Sequence, residues 1–197
     1  FVLLIRGFYG PVVQGWFALS AKVLGLSGTL MGKPLAEIFF KTGADLLTES
    51  PAAFRRHVFR YAGVLFALGI LPAAVLALGG PYLFALVFGL DWRVAGEYAR
   101  LLAFWGFLWF VVSSLRQLPV LLNAQKRHFQ LELGLALGSL LVFGVAGTLG
   151  WGFTWALGGK VFAESVGFAF LLLWMFRRTR ALISPRPTPA PPTDLRV

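Results

Sequence analysis

The chain has 197 residues, of which 58% are hydrophobic and only 13% are charged, and its mean hydropathy is +0.77. A soluble domain has about 25% charged residues, so this composition excludes an ordinary soluble fold and predicts an all-α, polytopic membrane helical bundle. The formal net charge of +10 lies beside apolar blocks, which argues against nucleic-acid binding.

Long apolar blocks predict about five full transmembrane helices, at residues 16–40, 61–79, 98–124, 129–148 and 157–176. Residues 1–5 are also apolar, and a turn is predicted just after them at Gly7–Pro11. We interpret residues 1–5 as the end of a truncated N-terminal helix. The chain is therefore expected to be a fragment of a longer membrane protein.

Several short signals divide these blocks. Ser50 followed by Pro51 predicts a helix start, because serine caps a helix and proline fits its first turn. Gly79-Gly80-Pro81 predicts a helix break. Residues 82–90 are too short to cross a bilayer and are interpreted as an interfacial or re-entrant piece. The Pro-rich segment 181–197 predicts a disordered tail.

Basic residues border the apolar blocks on alternate sides. One set of gaps contains Lys41, Arg55, Arg56, Arg60, Lys126, Arg127, Arg177, Arg178, Arg180, Arg186 and Arg196. The other set contains only Arg6, Arg93 and Arg100. Because Lys and Arg are enriched on the cytoplasmic side of membrane proteins, this pattern predicts a multi-pass protein of the cell inner (cytoplasmic) membrane with a cytoplasmic C-terminus.

Four ionisable residues inside the predicted spans are the candidate substrate-binding residues: Lys22, Lys33, Glu37 and Arg116. A basic residue at the centre of a span costs roughly 2.5–3.5 kcal/mol, so it usually faces a wet interior. On one continuous helix Lys22 and Lys33 point about 20° apart, and Thr29 lies near the same line. The pattern predicts a polar stripe lining a cationic cavity that suits an anionic passenger.

Structural roles for some of these charges remain open alternatives. Arg116 fits snorkelling toward the headgroups as well as it fits a cavity. Structural ion pairing or interface anchoring suits Lys33, Glu37 and the i,i+4 pair Lys160–Glu164 at least as well as a functional role does.

The sequence shows no constellation that predicts catalysis. It contains no cysteine, and His57 and His128 lie in predicted basic loops without a partner at metal-ligand spacing. It has no Gly-rich phosphate loop and no convergent Ser/His/Asp set. We therefore expect neither an enzyme, nor a bound metal, nor a cofactor.

Three segments resemble a known family: residues 17–26, 32–40 and 87–102. The most specific is Phe-Gly-x-x-Trp-x-x-Ala-Gly, which runs from Phe88 to Gly96. They are similar to the C-terminal half of polysaccharide biosynthesis and O-antigen-type flippases, within the multidrug/oligosaccharidyl-lipid/polysaccharide exporter superfamily. The resemblance covers roughly residues 1–180.

This resemblance implies one lobe of a two-lobe exporter that moves undecaprenyl-diphosphate-linked oligosaccharide across the membrane. The implied partners are membrane lipid, the lipid-linked oligosaccharide and a missing N-terminal lobe. Three alternatives remain. An ion-coupled multidrug exporter would favour embedded acidic residues, for which Glu37 is the candidate. A membrane-embedded glycosyltransferase would need a catalytic constellation. A non-transporting membrane scaffold is compatible with the composition.

Overall fold

A computed structural model describes residues 1–27 and 32–182, without the side chains of residues 27 and 33. The helices are α1 (Val2–Ser27), α2 (Lys33–Glu49), α3 (Pro51–Phe88), α4 (Arg93–Ser114), α5 (Leu118–Leu121), α6 (Gln125–Thr148) and α7 (Phe153–Ala181). The described residues contain no strand, so the all-α prediction is confirmed. The Pro-rich tail predicted for 181–197 lies outside the described residues from position 183 onward.

Five helical segments are long and apolar enough to cross a membrane: Val2–Leu26, Pro51–Phe88, Leu90–Leu121, Gln125–Thr148 and Phe153–Ala181. Their outward faces carry large apolar side chains; on α3 alone, Ile70, Leu71 and Leu78 are 61–87% exposed. A soluble protein rarely exposes so large an apolar surface, whereas lipid tails solvate it. The predicted number of five long apolar helices is confirmed, but several of their boundaries differ.

α1 is bent back on itself at Gly10. The backbone there has φ 84° and ψ 170°, a region that only glycine occupies without strain. The rings of Phe1 and Phe17 lie 5.4 Å apart, whereas sixteen residues of straight helix would separate them by about 24 Å. The two arms of α1 therefore lie side by side, and the turn predicted at Gly7–Pro11 is present.

The predicted span 16–40 falls on two described helices, α1 to Ser27 and α2 from Lys33, and residues 28–31 between them lie outside the described residues. Leu24 packs on Gly106 of α4, and Gly32 lies beside Ser114, eight residues further along the same helix. Leu24 and Gly32 meet α4 in the same order along the chain, so this part of the chain runs parallel to α4. Pro34 occupies the first turn of α2, where its missing N–H leaves no hydrogen bond broken.

α3 starts where Ser50 and Pro51 predict it. The Ser50 hydroxyl accepts a hydrogen bond from the backbone N–H of Ala53, at 3.4 Å. The predicted break at 79–81 is wrong: the helix continues to Phe88, so residues 82–88 belong to α3 instead of forming a separate interfacial piece. Gly80 is buried there and faces Gly96 of α4, which lets the two backbones touch.

α4 is the central helix, packed against α1, α3 and α7. The predicted span 98–124 is interrupted, because α4 ends at Ser114 and a short α5 follows at Leu118. Pro119 explains the break, since its ring would clash with the carbonyl group of Leu115 in a continuous helix. The Leu115 carbonyl instead accepts a hydrogen bond from the N–H of Leu118, at 2.9 Å.

α6 and α7 form an antiparallel pair. Both helices extend beyond the predicted spans 129–148 and 157–176 at the end of the pair where Lys126 and Arg177 lie. Leu135 packs on Gly167, and Val142 lies against Gly159. Gly134, Gly138 and Gly144 of α6 have open space at the Cβ position, so they mediate no close helix contact among the described residues. Gly147 does mediate packing, because it lies against the ring of Phe8.

Candidate functional site

The structure places the four predicted site residues on α1, on α2 and in the turn after α4. Lys22 is exposed on α1 and Glu37 is exposed on α2, whereas the side chain of Lys33 lies outside the described residues. Arg116 lies in the turn between α4 and α5. The predicted stripe through Lys22 and Lys33 stays a prediction, because residues 28–31, which include Thr29, and the Lys33 side chain lie outside the described residues.

Arg116 borders a polar cavity of the described bundle. The cavity has a volume of about 310 Å³ and lies between α4, α6 and α7. Its polar and aromatic lining consists of Trp105, Trp109, Ser113, Arg116, Glu132, Lys160, Glu164 and Phe168. These three helices are candidate membrane spans, so the cavity introduces charged groups into an otherwise apolar bundle.

One ion pair lies deep in the bundle on α7. Lys160 Nζ is 2.6 Å from Glu164 Oε2, and the two side chains are only 10% and 13% exposed. The ammonium group also lies 4.7 Å from the ring centre of Phe1 and 5.4 Å from that of Trp105. The i,i+4 pairing predicted from sequence is confirmed. Burial strengthens the attraction between the two charges but also removes their hydration, so loss of one partner is costly.

A second ion pair lies toward the other end of the cavity. Arg116 Nη2 is 3.1 Å from Glu132 Oε2, and the Arg116 side chain is 67% exposed. His128 Nε2 lies 3.9 Å from the other oxygen of the same carboxylate. His128 was expected in a solvated loop, but it is only 7% exposed and lies in the first turns of α6. Glu132 is therefore shared by two basic groups.

An aromatic wall connects the two ion pairs. Trp105 and Trp109 are one helical turn apart on α4, and their rings stack at 6.2 Å with an interplanar angle of 12°. The indole N–H of Trp105 is buried and has no hydrogen-bond partner among the described residues. A buried donor without a partner is costly, so this N–H is available to a guest molecule in the cavity.

The charges in the cavity balance. Each of its two cations, Arg116 and Lys160, is paired with a carboxylate. Each of these pairs can exchange a partner for a charged group of a ligand. No group of three His, Asp or Glu side chains in residues 1–27 and 32–182 is arranged to hold a metal ion.

Sequence reasoning missed Glu132 and both tryptophans as site residues. Glu132 lies inside the predicted span 129–148 but was not among the candidate residues, and structural pairing was an open alternative for Lys160–Glu164. The available signal was that α4, α6 and α7 each carry charge within or beside an apolar block. Such charges are usually buried against one another in a bundle.

Comparisons of the chain with protein families, with curated proteins and with solved structures found no match.

Proposed function

We propose that this chain is one lobe of a membrane transporter that flips a lipid-linked oligosaccharide, an undecaprenyl-diphosphate conjugate, for cell-surface polysaccharide synthesis. The observation that carries the proposal is the cavity itself, which places two ion pairs and a tryptophan wall inside an apolar bundle. A scaffold has no need of buried charges, which cost free energy and mark substrate or ion pathways in membrane proteins.

Each part of the cavity suits one part of such a cargo. Indole faces stack on the apolar faces of sugar rings, and the free N–H of Trp105 can donate to a sugar hydroxyl. The guanidinium group of Arg116 is mostly exposed and can exchange Glu132 for a phosphate oxygen with matched bidentate geometry. The polyprenyl chain would remain in the lipid beside the bundle.

In this proposal a second lobe completes the transport path. Lys22 and Glu37 lie on exposed faces of α1 and α2, away from the described cavity. They would face the second lobe or the lipid headgroups, and rocking of the two lobes would alternate access to the cargo. The proposed location is the cytoplasmic membrane, with the C-terminus in the cytoplasm.

A cation-coupled multidrug exporter is the second candidate, and one observation favours it. Glu132 and Glu164 are both partly or largely buried in helices of the bundle, whereas Glu37, the carboxylate expected from sequence, is exposed. Embedded carboxylates are the groups that coupling cations bind. Both already have basic partners in this structure, so the flippase remains the better-supported function.

Arg116→Ala in the chromosomal gene is expected to lower surface polysaccharide about ten- to a hundredfold. The reason is that a hydrogen bond to a charged group contributes about 1.5–3 kcal/mol. Surface polysaccharide is measured by gel and immunoblot, with the protein level followed in the same cells. Arg93→Ala is the matched control, because Arg93 is exposed and does not border the cavity.

The two candidates predict different phenotypes. Loss of surface polysaccharide with unchanged drug sensitivity supports the flippase. Raised drug sensitivity with normal polysaccharide identifies the exporter and overturns the proposal. An Arg116→Ala strain with normal polysaccharide and normal drug sensitivity removes Arg116 from the transport path.

A further inference from the structure

A broad basic basin lies apart from the polar cavity, at the end of the bundle where α3 begins and α7 ends. Its volume is about 860 Å³, and it is lined by Arg55, Arg56, His57, Phe59, Arg60 and Arg180. The first five residues belong to one stretch of α3, whereas Arg180 comes from the last turn of α7. The fold therefore brings together charges that are more than a hundred positions apart in the sequence.

The arginines of the basin have no acidic partners in the described part of the chain. The ion pairs found there involve Arg116, His128, Lys160 and their glutamates, and none involves a basin arginine. Four guanidinium groups around one concavity repel one another unless an anion lies between them. His57 adds a buried ring nitrogen, Nε2, with no hydrogen-bond partner among the described residues.

Aromatic contacts hold part of the basin in place. The guanidinium carbon of Arg180 lies 5.2 Å from the ring centre of Phe59, which also packs on Phe176 at 5.2 Å. His57 stacks on Phe39 at 5.5 Å with an interplanar angle of 13°. Arg180 and the imidazole ring are therefore positioned by packing instead of moving freely in solvent.

The basin lies where the headgroups of a bilayer would be. α3 carries no charged residue between Arg60 and its end at Phe88, and α7 carries none between Glu164 and Arg177. The arginines thus mark the point where both apolar blocks end. Basic pockets between membrane helices at this level bind anionic lipid headgroups, and guanidinium forks match phosphate oxygens.

We propose that this basin is a binding site for the phosphodiester headgroup of an anionic membrane phospholipid. Arg60 and Arg180 approach the phosphate from the two helices, and the ring of Phe59 faces the glycerol region of the lipid. The bound lipid links the start of α3 to the end of α7. The site does not depend on the cargo of the polar cavity.

Native mass spectrometry of the purified chain in neutral detergent, with cardiolipin titrated as the probe, tests the proposal. Arg60→Gln with Arg180→Gln is expected to weaken cardiolipin binding about tenfold or more. Each basic residue near a membrane surface raises the affinity for anionic lipid about fivefold. Arg60→Lys with Arg180→Lys keeps the positive charge but loses the paired N–H donors of the guanidinium group. An intermediate affinity for cardiolipin is therefore expected.

Arg127→Gln with Arg178→Gln is the matched control. Both residues are exposed at the same end of the bundle and line a separate cavity of about 410 Å³. This control removes the same charge outside the basin, so it is expected to weaken cardiolipin binding clearly less than the basin pair does. If both double Gln variants weaken cardiolipin binding equally, or if the basin variant does not weaken it, the proposed site is overturned. If an equal concentration of inorganic diphosphate displaces cardiolipin, the basin binds a soluble anion, and the proposal of a lipid site is overturned.

Discussion

Glu164→Leu is expected to destabilise the protein by about 3–5 kcal/mol, because it leaves the Lys160 ammonium group buried without its carboxylate. The two side chains are among the least exposed charged groups described, at 10% and 13%, and their charged atoms are 2.6 Å apart. The neighbours of Lys160 are aromatic rings, which attract a cation but do not replace an anion. Thermal unfolding in detergent, followed by tryptophan fluorescence, measures the change.

A double variant separates the structural role of this pair from its functional one. Lys160→Met with Glu164→Leu replaces the ion pair by apolar side chains of similar volume, and its stability is expected to return close to that of the wild type. Export of polysaccharide is nevertheless expected to be lost, because the end of the cavity next to residues 160 and 164 then carries no charge. A double variant with normal stability and normal export would show that the pair serves packing alone.

Gly96→Ala is expected to destabilise the protein by about 3 kcal/mol or more, because the added methyl group meets backbone that cannot move away. A Cβ at Gly96 would lie 2.5 Å from the Cα of Pro81, and a Cβ at Gly80 would lie 2.6 Å from the carbonyl oxygen of Gly96. α3 and α4 share the most extensive helix contact of the described bundle. The same unfolding measurement applies.

Gly138→Ala is the control for this contact. Gly138 is helical and has open space at its Cβ position, so alanine there is expected to stabilise α6 by about 0.5–1 kcal/mol. If Gly96→Ala unfolds at the same temperature as Gly138→Ala, the close approach of α3 and α4 does not hold the bundle together.

The outline of the fold follows from local signals in the sequence. Five apolar helices could be predicted because each apolar block is as long as the hydrocarbon layer is thick. The start of α3 could be predicted because Ser50 and Pro51 act within one turn. The continuation of α3 through 79–81 could not, since it depends on Gly80 lying against Gly96, a contact between separate helices.

The candidate site was predicted less well than the fold. Arg116 was identified because a charge near an apolar block is conspicuous, but its partner Glu132 comes from another helix. The stripe through Lys22 and Lys33 stays a prediction, because residues 28–31 between α1 and α2 lie outside the described residues. Pairing between helices, which converts separate charges into one balanced cavity, leaves no periodic signal in the sequence.

The proposed transport path requires the cavity between α4, α6 and α7 to be open to water inside the membrane. The chain has no cysteine, so one can be introduced at a single chosen position. Ser113 lines the cavity, whereas Leu71 is 69% exposed on the apolar outer face of α3. Reaction of Ser113→Cys and Leu71→Cys with a charged, water-soluble thiol reagent in native membranes tests the claim most directly. We predict that the cysteine at 113 reacts at least about tenfold faster, because a charged reagent does not enter the lipid around residue 71. Equal rates, or no reaction at 113, would contradict the account.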